Sequence, residues 1–338
     1  MAKIYGSITE LVGHTPIVEF KRLAKELGLK GRVAGKLEYF NPAGSHKDRM
    51  ALEIIEAAEE RGDISPDKTT LVEFTSGNTG IAMAAFAAAK GYKFKIGLQN
   101  GVSVERLKLL QAYQAEIASV PQELIAGVFE KGIAAFSDVI AYMTKDIDNA
   151  YATRQLDNPD NINAHYKHTG PEIWEDTDGK IDIFVGGVGT GGSTHGVSQY
   201  LKEKNPNVKV VITQPDPNDV LNPLVKGVED GGFHGIHQVH DDNGITPMAP
   251  ANFSDDLTDE YNFVSYAETL RAIHLLAKYE GIFVGASAGA SLAVAIKLAQ
   301  KEENAGKLII PLLPDNGERY LSEDLQLVRP EVEEKAGF

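Results

Sequence analysis

The stretch IDIFVGGVGTGGSTHGV, residues 181–197, decides how the fold is interpreted. A short apolar run at 181–185 is typical of a buried strand, and the run at 192–204 predicts a helix. The glycine-rich turn between them exposes backbone N–H groups at a helix N-terminus, and such groups bind phosphate without cationic side chains. Gly187, Gly189 and Gly192 also satisfy G-x-G-x-x-G, a dinucleotide-binding pattern. A turn that only packs the helix against the sheet remains a third interpretation.

The same strand–helix alternation continues on both sides of this turn. Strands are predicted at Arg32–Glu38, Thr70–Phe74, Tyr92–Leu98, Ala115–Val120, Ile181–Val185, Val208–Thr213 and Lys307–Leu312. Helices are predicted near 47–62, 79–90, 103–113, 122–147, 192–204, 266–279 and 288–302. This alternation predicts an α/β fold of two α/β domains, with mainly parallel twisted sheets flanked by helices.

The segments between these elements have a different composition. DNPDNINAHYKHTGPEIW, within 150–180, is rich in Asn, Asp and Pro and is interpreted as the joint between the domains. Residues 214–263 are interpreted as a long irregular insertion, which is typical of a functional loop.

Composition excludes several classes of function. The 338 residues include 33 basic and 48 acidic side chains, a formal net charge of −15, which disfavours nucleic-acid and anionic-membrane partners. The absence of cysteine excludes disulfides, thiolate metal sites and cysteine nucleophiles, and is typical of a reducing compartment. The N-terminus lacks the apolar core of a signal peptide, and the apolar stretch 79–95 is interrupted by Lys90. We therefore expect a soluble, cytoplasmic protein.

Three further segments carry candidate site residues. TSGNTG at 75–80 either presents hydroxyls, an amide and N–H groups to a carboxylate or simply caps the following helix. In NPAGSHKDR at 41–49, Lys47 begins a predicted helix; it is either solvated, as a lysine there normally is, or has a pKa lowered by the field of the helix N-terminus, which suits an amine to covalent catalysis. GASAGAS at 285–291 either allows close helix packing or presents the Ser287 hydroxyl to a ligand.

The histidines at 234, 237 and 240 are spaced as metal ligands would be on a helix. The neighbouring glycines and the absence of an apolar period indicate a loop with solvated histidines instead. GASAG at 285–289 matches the G-x-S-x-G pattern of a nucleophile elbow, but a serine–histidine–aspartate triad is not predicted.

Taken together, these segments resemble the cysteine synthase (O-acetylserine sulfhydrylase) family of fold-type II pyridoxal-phosphate enzymes, the superfamily of cystathionine β-synthase. The similarity covers most of the chain, including SITELVGHTPIV at 7–18, the residues from 154 to 185, EGIFVGASAGA at 280–290 and LLPDNGERYLS at 312–322. It implies a tryptophan-synthase-β-like fold and a homodimer. The implied units are a smaller, mobile substrate-gripping domain at 40–155, a larger phosphate-binding domain at 1–39 plus 156–322, and an acidic tail at 323–338.

The resemblance also implies a role for each matching residue. Lys47 matches the lysine that holds pyridoxal phosphate and moves the α-proton, Asn78 the group that bonds the cofactor's phenolic oxygen, and Ser287 the hydroxyl facing the pyridine nitrogen. The phosphate cradle is matched by Gly189, Thr190, Gly191, Gly192 and Ser193, the last standing where the family usually has threonine. The groups that grip the substrate carboxylate are matched by Thr75, Ser76, Thr79 and Gln155.

The sequence departs from the family pattern in three places. Leu156 replaces a phenylalanine, LQNGVS at 98–103 lacks a proline, and HQVHDDNGITPM at 237–248 replaces a glycine-rich stretch. The last change puts Asp241 where a glycine lines the mouth of the active site. Residues 215–260 contain ten acids and one base, so anionic sulfide would meet repulsion there. Asp241 is therefore a candidate general base, unless the loop turns both aspartates to solvent.

The implied activity is β-replacement on a serine- or cysteine-type amino acid through an aminoacrylate, most simply O-acetylserine plus sulfide to cysteine plus acetate. A neutral serine opposite the pyridine nitrogen favours such elimination over reactions that need a long-lived carbanion. The alternative, motivated by Asp241, consumes cysteine, releases hydrogen sulfide and adds water or a second thiol. A nicotinamide-dependent dehydrogenase, with Asp216 bonding the ribose, leaves Lys47 and Ser287 unexplained. A binding partner of another enzyme is the non-catalytic hypothesis.

Overall fold

Two parallel sheets, each covered by helices on both faces, organise the protein. The computed structural model describes residues 4–75, 77–98, 102–131, 135–219 and 235–322. The strands are β1 (Ile17–Glu19), β2 (Arg32–Leu37), β3 (Thr70–Phe74), β4 (Lys93–Gly97), β5 (Glu116–Ala118), β6 (Ala150–Ala152), β7 (Ile183–Gly187), β8 (Lys209–Pro215), β9 (His240–Asp241), β10 (Gly244–Ile245), β11 (Glu260–Val264) and β12 (Leu308–Leu313). The predicted α/β class with mainly parallel sheets is confirmed.

The α-helices connect these strands and cover the sheets. They are α1 (Lys21–Leu27), α2 (Lys47–Glu60), α3 (Asn78–Lys90), α4 (Val104–Ala112), α5 (Gln122–Lys131), α6 (Phe136–Thr144), α7 (Pro159–Ala164), α8 (Gly170–Asp176), α9 (Gly192–Lys204), α10 (Tyr266–Glu280) and α11 (Ala286–Gln300). The segments predicted for α2, α3 and α9 agree with these bounds to within two residues.

The larger sheet has the strand order β1-β2-β12-β7-β8-β11, and every neighbouring pair is parallel except β1 with β2. Successive side chains of a strand point to opposite faces. Ile183 and Val185 therefore pack with α10 and α11, whereas Phe184 packs with α8 and α9. Burial on both faces explains why this strand is apolar throughout.

The smaller sheet has the order β5-β4-β3-β6 and is wholly parallel. Leu71 packs with α2 and α3 on one face, and Val72 and Phe74 pack with α5 and α6 on the other. All four strands lie within residues 70–152, whereas the larger sheet takes its strands from 17–37 and 183–313. The division into domains at 40–155 stays a prediction.

The structure differs from the sequence prediction in two places, while the joint between domains expected at 150–180 stays a prediction. The segment 150–180 is largely helical: α7, a π-helical turn at His165–Thr169 and α8 follow one another. Asn158 caps α7 by accepting a hydrogen bond from the Asp160 backbone, and Pro159 stands in the first turn, where its missing N–H leaves no bond unmade. The predicted helix at 122–147 is divided into α5 and α6.

The predicted irregular insertion contains more structure than expected. Its described part includes the hairpin of β9 and β10 and the parallel edge strand β11. His234, the rest of the segment 220–234, and the predicted tail at 323–338 lie outside the described residues.

Candidate active site

Other segments of the protein pack closely against the glycine-rich turn after β7. A Cβ atom on Gly189 would lie 2.5 Å from the Gly235 carbonyl oxygen, and one on Gly192 would lie 2.0 Å from Asn161 Oδ1. Gly191 has φ +82° and would place a Cβ 2.8 Å from the Asn252 backbone. Glycine at these positions lets three other segments pack directly against the turn.

The same turn leaves hydrogen-bond donors unused. Gly191 is the N-cap of α9 and has no side chain to accept from the first N–H groups of the helix. Among the described residues, the N–H groups of Gly192 and Ser193 have no acceptor. Thr190 and Ser193 add two buried hydroxyls. This combination suits an anion, because the helix dipole acts together with free N–H groups.

Lys47 approaches this turn from the first position of α2. Its Nζ donates to Thr190 Oγ1 at 3.2 Å, and Thr190 Oγ1 also accepts from Asn161 Nδ2 at 3.0 Å. Among the described residues no carboxylate lies within ion-pair distance of this amine. Burial of the amine lowers the pKa of Lys47 to about 8, although the charge of Asp315 acts in the opposite direction. The lowered pKa increases the fraction of Lys47 that is a neutral, nucleophilic amine near neutral pH, although most of it is still protonated there.

The second turn brings polar groups to the end of β3. Thr75 Oγ1 accepts from the Gly77 backbone at 3.3 Å, and Thr79 Oγ1 donates to Gln155 Oε1. The hydroxyl of Thr75 therefore bonds within the turn and does not cap α3, whose N-cap residue Gly77 again offers no side chain. Ser76 lies outside the described residues.

Gln155 is held from several sides by residues that sequence reasoning missed. Its carbonyl oxygen accepts from Asn161 Nδ2 at 2.8 Å and from Asn252 Nδ2 at 2.9 Å. Its backbone N–H donates to the buried carboxylate of Glu73 at 3.0 Å. Asn161 Oδ1 is buried and without a partner in the described part of the chain. No local pattern distinguishes these asparagines, because their partners are distant in sequence.

Asn78 and Ser287 lie at the starts of two further helices. Asn78 begins α3, and its Nδ2 donates to Asp315 Oδ2 at 2.6 Å. Ser287 is the second residue of α11, is 7% exposed, and follows another glycine N-cap, Gly285. A Cβ on Gly235 would lie 3.8 Å from Ser287 Oγ, so the segment that packs on the glycine-rich turn also reaches Ser287. Asp315 was not anticipated, although its segment 312–322 was singled out.

Asp241 lies in the hairpin of β9 and β10. Its Oδ1 accepts from the Asn243 backbone at 2.7 Å, so the carboxylate caps the turn of its own hairpin, while Asp242 and Asn243 are exposed. No hydrogen bond joins Asp241 to another candidate site residue within the described ranges. Its proposed role as a base stays a prediction.

His240 stacks on Tyr261, with ring centroids 4.4 Å apart. The described residues contain no cluster of three or more side chains able to hold a metal ion. Their helices also include none with the length and apolarity needed to cross a membrane.

Comparison with known proteins agrees with this geometry. The sequence model of the pyridoxal-phosphate dependent enzymes matches residues 8–315. The chain is 38% identical over 318 residues to cysteine synthase 3 of Caenorhabditis elegans, covering 94% of this chain and 88% of the relative. It is 38% identical over 325 residues to cysteine synthase A of Escherichia coli, covering 95% of each. A crystal structure of the Entamoeba histolytica cysteine synthase superposes with a TM-score of 0.81 at 34% identity, covering 97% of this chain and 92% of that one.

Proposed function

Because the chain belongs to the pyridoxal-phosphate dependent enzymes, we propose that it is a cysteine synthase, which replaces the acetate of O-acetylserine with sulfide. The observation that carries the proposal is the Lys47 amine, which lies beside the glycine-rich turn with a pKa of about 8 and no counter-ion among the described residues. The relatives and the solved structure that are named cysteine synthases support the choice of reaction.

The residues present fit the cofactor. The unpaired N–H groups at the start of α9 and the hydroxyls of Thr190 and Ser193 suit a phosphate, which needs many donors. The glycines at 189, 191 and 192 let Gly235, Asn252 and Asn161 pack against the turn, so the phosphate would bond the N–H groups at the start of α9. Lys47 would hold the cofactor covalently, Asn78 would bond its phenolic oxygen and Ser287 would face its ring nitrogen. When bound, pyridoxal phosphate supplies the electron sink that allows bonds at the substrate α-carbon to break.

The chain's own residues then supply binding and proton transfer. Thr75, Ser76, Thr79 and Gln155 would bind the substrate carboxylate with neutral donors. The Lys47 amine would take the α-proton and later return it to the same carbon. General acid–base catalysis is most efficient when the pKa of the catalytic group lies near the working pH, and burial brings Lys47 toward that range.

Among the residues that the structure describes, no contact supports the cysteine-consuming alternative. That hypothesis needs the Asp241 carboxylate beside the nucleophile, whereas Oδ1 accepts from the Asn243 backbone within its own hairpin. With that carboxylate engaged in capping a turn, anionic sulfide is the simpler nucleophile.

A product assay tests the proposal. The purified holoenzyme is given O-acetylserine plus sulfide in one reaction and cysteine alone in another, and cysteine, acetate and hydrogen sulfide are measured. We expect cysteine formation to be much the faster reaction and to be unchanged in Asp241→Asn. Faster release of sulfide from cysteine, lost in the same variant, would instead establish the alternative.

We also propose a homodimer that works in the cytoplasm with no nucleic-acid or membrane partner. Support for the compartment comes from the absence of cysteine, which suits reducing conditions. Sedimentation equilibrium measures the oligomeric state directly.

A further inference from the structure

The side chain of Asp315 lies at the centre of the candidate site although the reaction as described does not use it. Asp315 follows the C-terminal end of β12 and is fully buried. Its backbone pairs with Ser45, two residues before Lys47, and its carbonyl oxygen accepts from the Gly285 N–H, two residues before Ser287. One residue thus contacts the segments that carry both side chains.

The carboxylate of Asp315 and the guanidinium of Arg319 together hold the amide of Asn78. Asn78 Nδ2 donates to Asp315 Oδ2 at 2.6 Å, and Arg319 Nη1 donates to Asn78 Oδ1 at 2.5 Å. A guanidinium has donors only, so the amide oxygen must face Arg319 and the amide nitrogen must face Asp315. The orientation of the amide follows whether or not Asp315 is ionised.

Both holding groups are themselves fixed in place. Tyr320 OH donates to Asp315 Oδ2, and Arg319 Nη2 donates to the Ala43 carbonyl oxygen. Arg319 is 7% exposed and passes so close to Gly44 that a Cβ there would lie 2.5 Å from Nη2. The amide of Asn78 is therefore held between two rigid groups.

This arrangement leaves the Asn78 amide with one free hydrogen-bond donor. Arg319 bonds the amide oxygen and Asp315 takes one N–H, so the second N–H of Nδ2 is the remaining donor, on a side chain that is only partly buried. A group that can only donate suits an oxygen that carries negative charge, such as the phenolic oxygen of the cofactor.

We propose that Asp315 is a positioning residue: Arg319 fixes the polarity of the Asn78 amide, and Asp315 holds the amide nitrogen so that its second N–H points to the phenolic oxygen of pyridoxal phosphate. The inference rests on the proposed role of Asn78. It adds that the acceptor on Asp315, and not Asn78 alone, determines how strongly that oxygen is bound.

A double-mutant cycle tests the proposal without using substrate. The dissociation constant of pyridoxal phosphate and the visible absorption maximum of the bound cofactor are measured for wild type, Asp315→Ala, Asn78→Ala and the double variant. We expect each single change to weaken binding by about tenfold and to shift the maximum, because one hydrogen bond to a charged atom is lost. Because the two residues act through one bond, Asp315→Ala should add nothing in the Asn78→Ala background.

Two further variants separate positioning from folding. Asp315→Asn keeps an acceptor oxygen and the side-chain volume, so it should retain the wild-type absorption maximum. Asn304 lies beyond the C-terminal end of α11, and its buried amide donates to the Leu298 carbonyl in the last turn of that helix. Asn304→Ala should therefore lower the unfolding temperature and leave cofactor binding unaffected.

The proposal would be overturned if the losses of cofactor affinity in the two single variants multiplied in the double variant. An absorption maximum unchanged in Asp315→Ala would also overturn it. So would Asp315→Asn behaving like Asp315→Ala. No substrate enters these measurements, so they give the same result whether or not the protein has sulfhydrylase activity. Failure of this proposal can therefore be distinguished from failure of the proposed reaction.

Discussion

Lys36 in β2 and Lys47 at the start of α2 both bring an amine into the protein, but their surroundings differ completely. Lys36 is fully buried, and its Nζ donates to the Thr15 carbonyl at 2.6 Å, to Glu172 at 2.9 Å and to Asp176 at 3.2 Å. Lys47 has a hydroxyl, Thr190 Oγ1, and no carboxylate at that distance in the described chain. The first amine is compensated as a cation, whereas the second is not.

The network around Lys36 extends to neighbouring charges. Arg49, 2% exposed, donates to Glu38 at 2.8 Å and to Glu172 at 2.7 Å, and Glu38 is fully buried. Although burial alone would raise it, hydrogen bonds and charges from Arg49 and Lys36 lower the pKa of Glu172 to about 2. Buried charges that are paired in this way hold segments together, whereas an unpaired amine loses its proton more readily and becomes a nucleophile. The comparison predicts that the reactivity of the Lys47 amine depends on the absence of a counter-ion among the described residues.

The largest effect is expected from Lys47→Ala. Removing the amine removes the proposed proton transfer, so kcat/KM should fall by at least about a thousandfold. Because the amine has no ion-pair partner in the described chain, the free energy of unfolding should change little. Steady-state kinetics measures the loss of activity, and urea unfolding measures the change in stability. A large loss of stability would contradict the comparison.

Lys36→Met should show the opposite pattern. The change leaves Glu172 and Asp176 without the ammonium, and breaking a buried ion pair destabilises a protein by about 3 kcal/mol. Turnover per folded molecule should remain that of the wild type, because Lys36 bonds none of the candidate site residues. Urea unfolding followed by kinetics on the folded fraction measures both. If Lys36→Met lost turnover but kept its stability, the contrast between Lys36 and Lys47 would be wrong.

The smallest expected effect concerns the pH at which the amines of Lys47 and Lys36 react, and it tests the same comparison. The folded-state pKa of Lys47 lies below its ordinary value of 10.5, at about 8, so the amine is protonated and unreactive below that pH and neutral above it. Labelling of the cofactor-free protein with an amine reagent, followed by mass spectrometry, should give a half-maximal rate at Lys47 near pH 8. Lys36 should remain unlabelled while the protein is folded. A midpoint near 10.5 for Lys47 would show that burial does not tune this amine.

Much of the fold could be predicted because its signals are local. The strand Thr70–Phe74 and the helix 192–204 were predicted with the observed bounds, since an apolar run marks the strand and a glycine-rich turn marks the start of the helix. The helices at 159–176 were missed because Asn, Asp and Pro were interpreted as loop signals. Asn158 followed by Pro159 is also the pattern of a capped helix start, and only packing against α2 and α9 decides between the two.

The candidate site divides in the same way. The sequence by itself determined where the glycine turns fall and that a lysine begins a helix, because strand, turn and helix signals lie within a few residues. Only the tertiary structure decided that Asn78 meets Asp315, 237 positions away, and that Lys36 meets Glu172, 136 positions away, while Lys47 meets a hydroxyl. Charge pairing depends on distances between segments remote in sequence, and burial depends on what covers a side chain. Neither quantity is encoded in local pattern, so the reactive amine and the structural one look alike until the chain is folded.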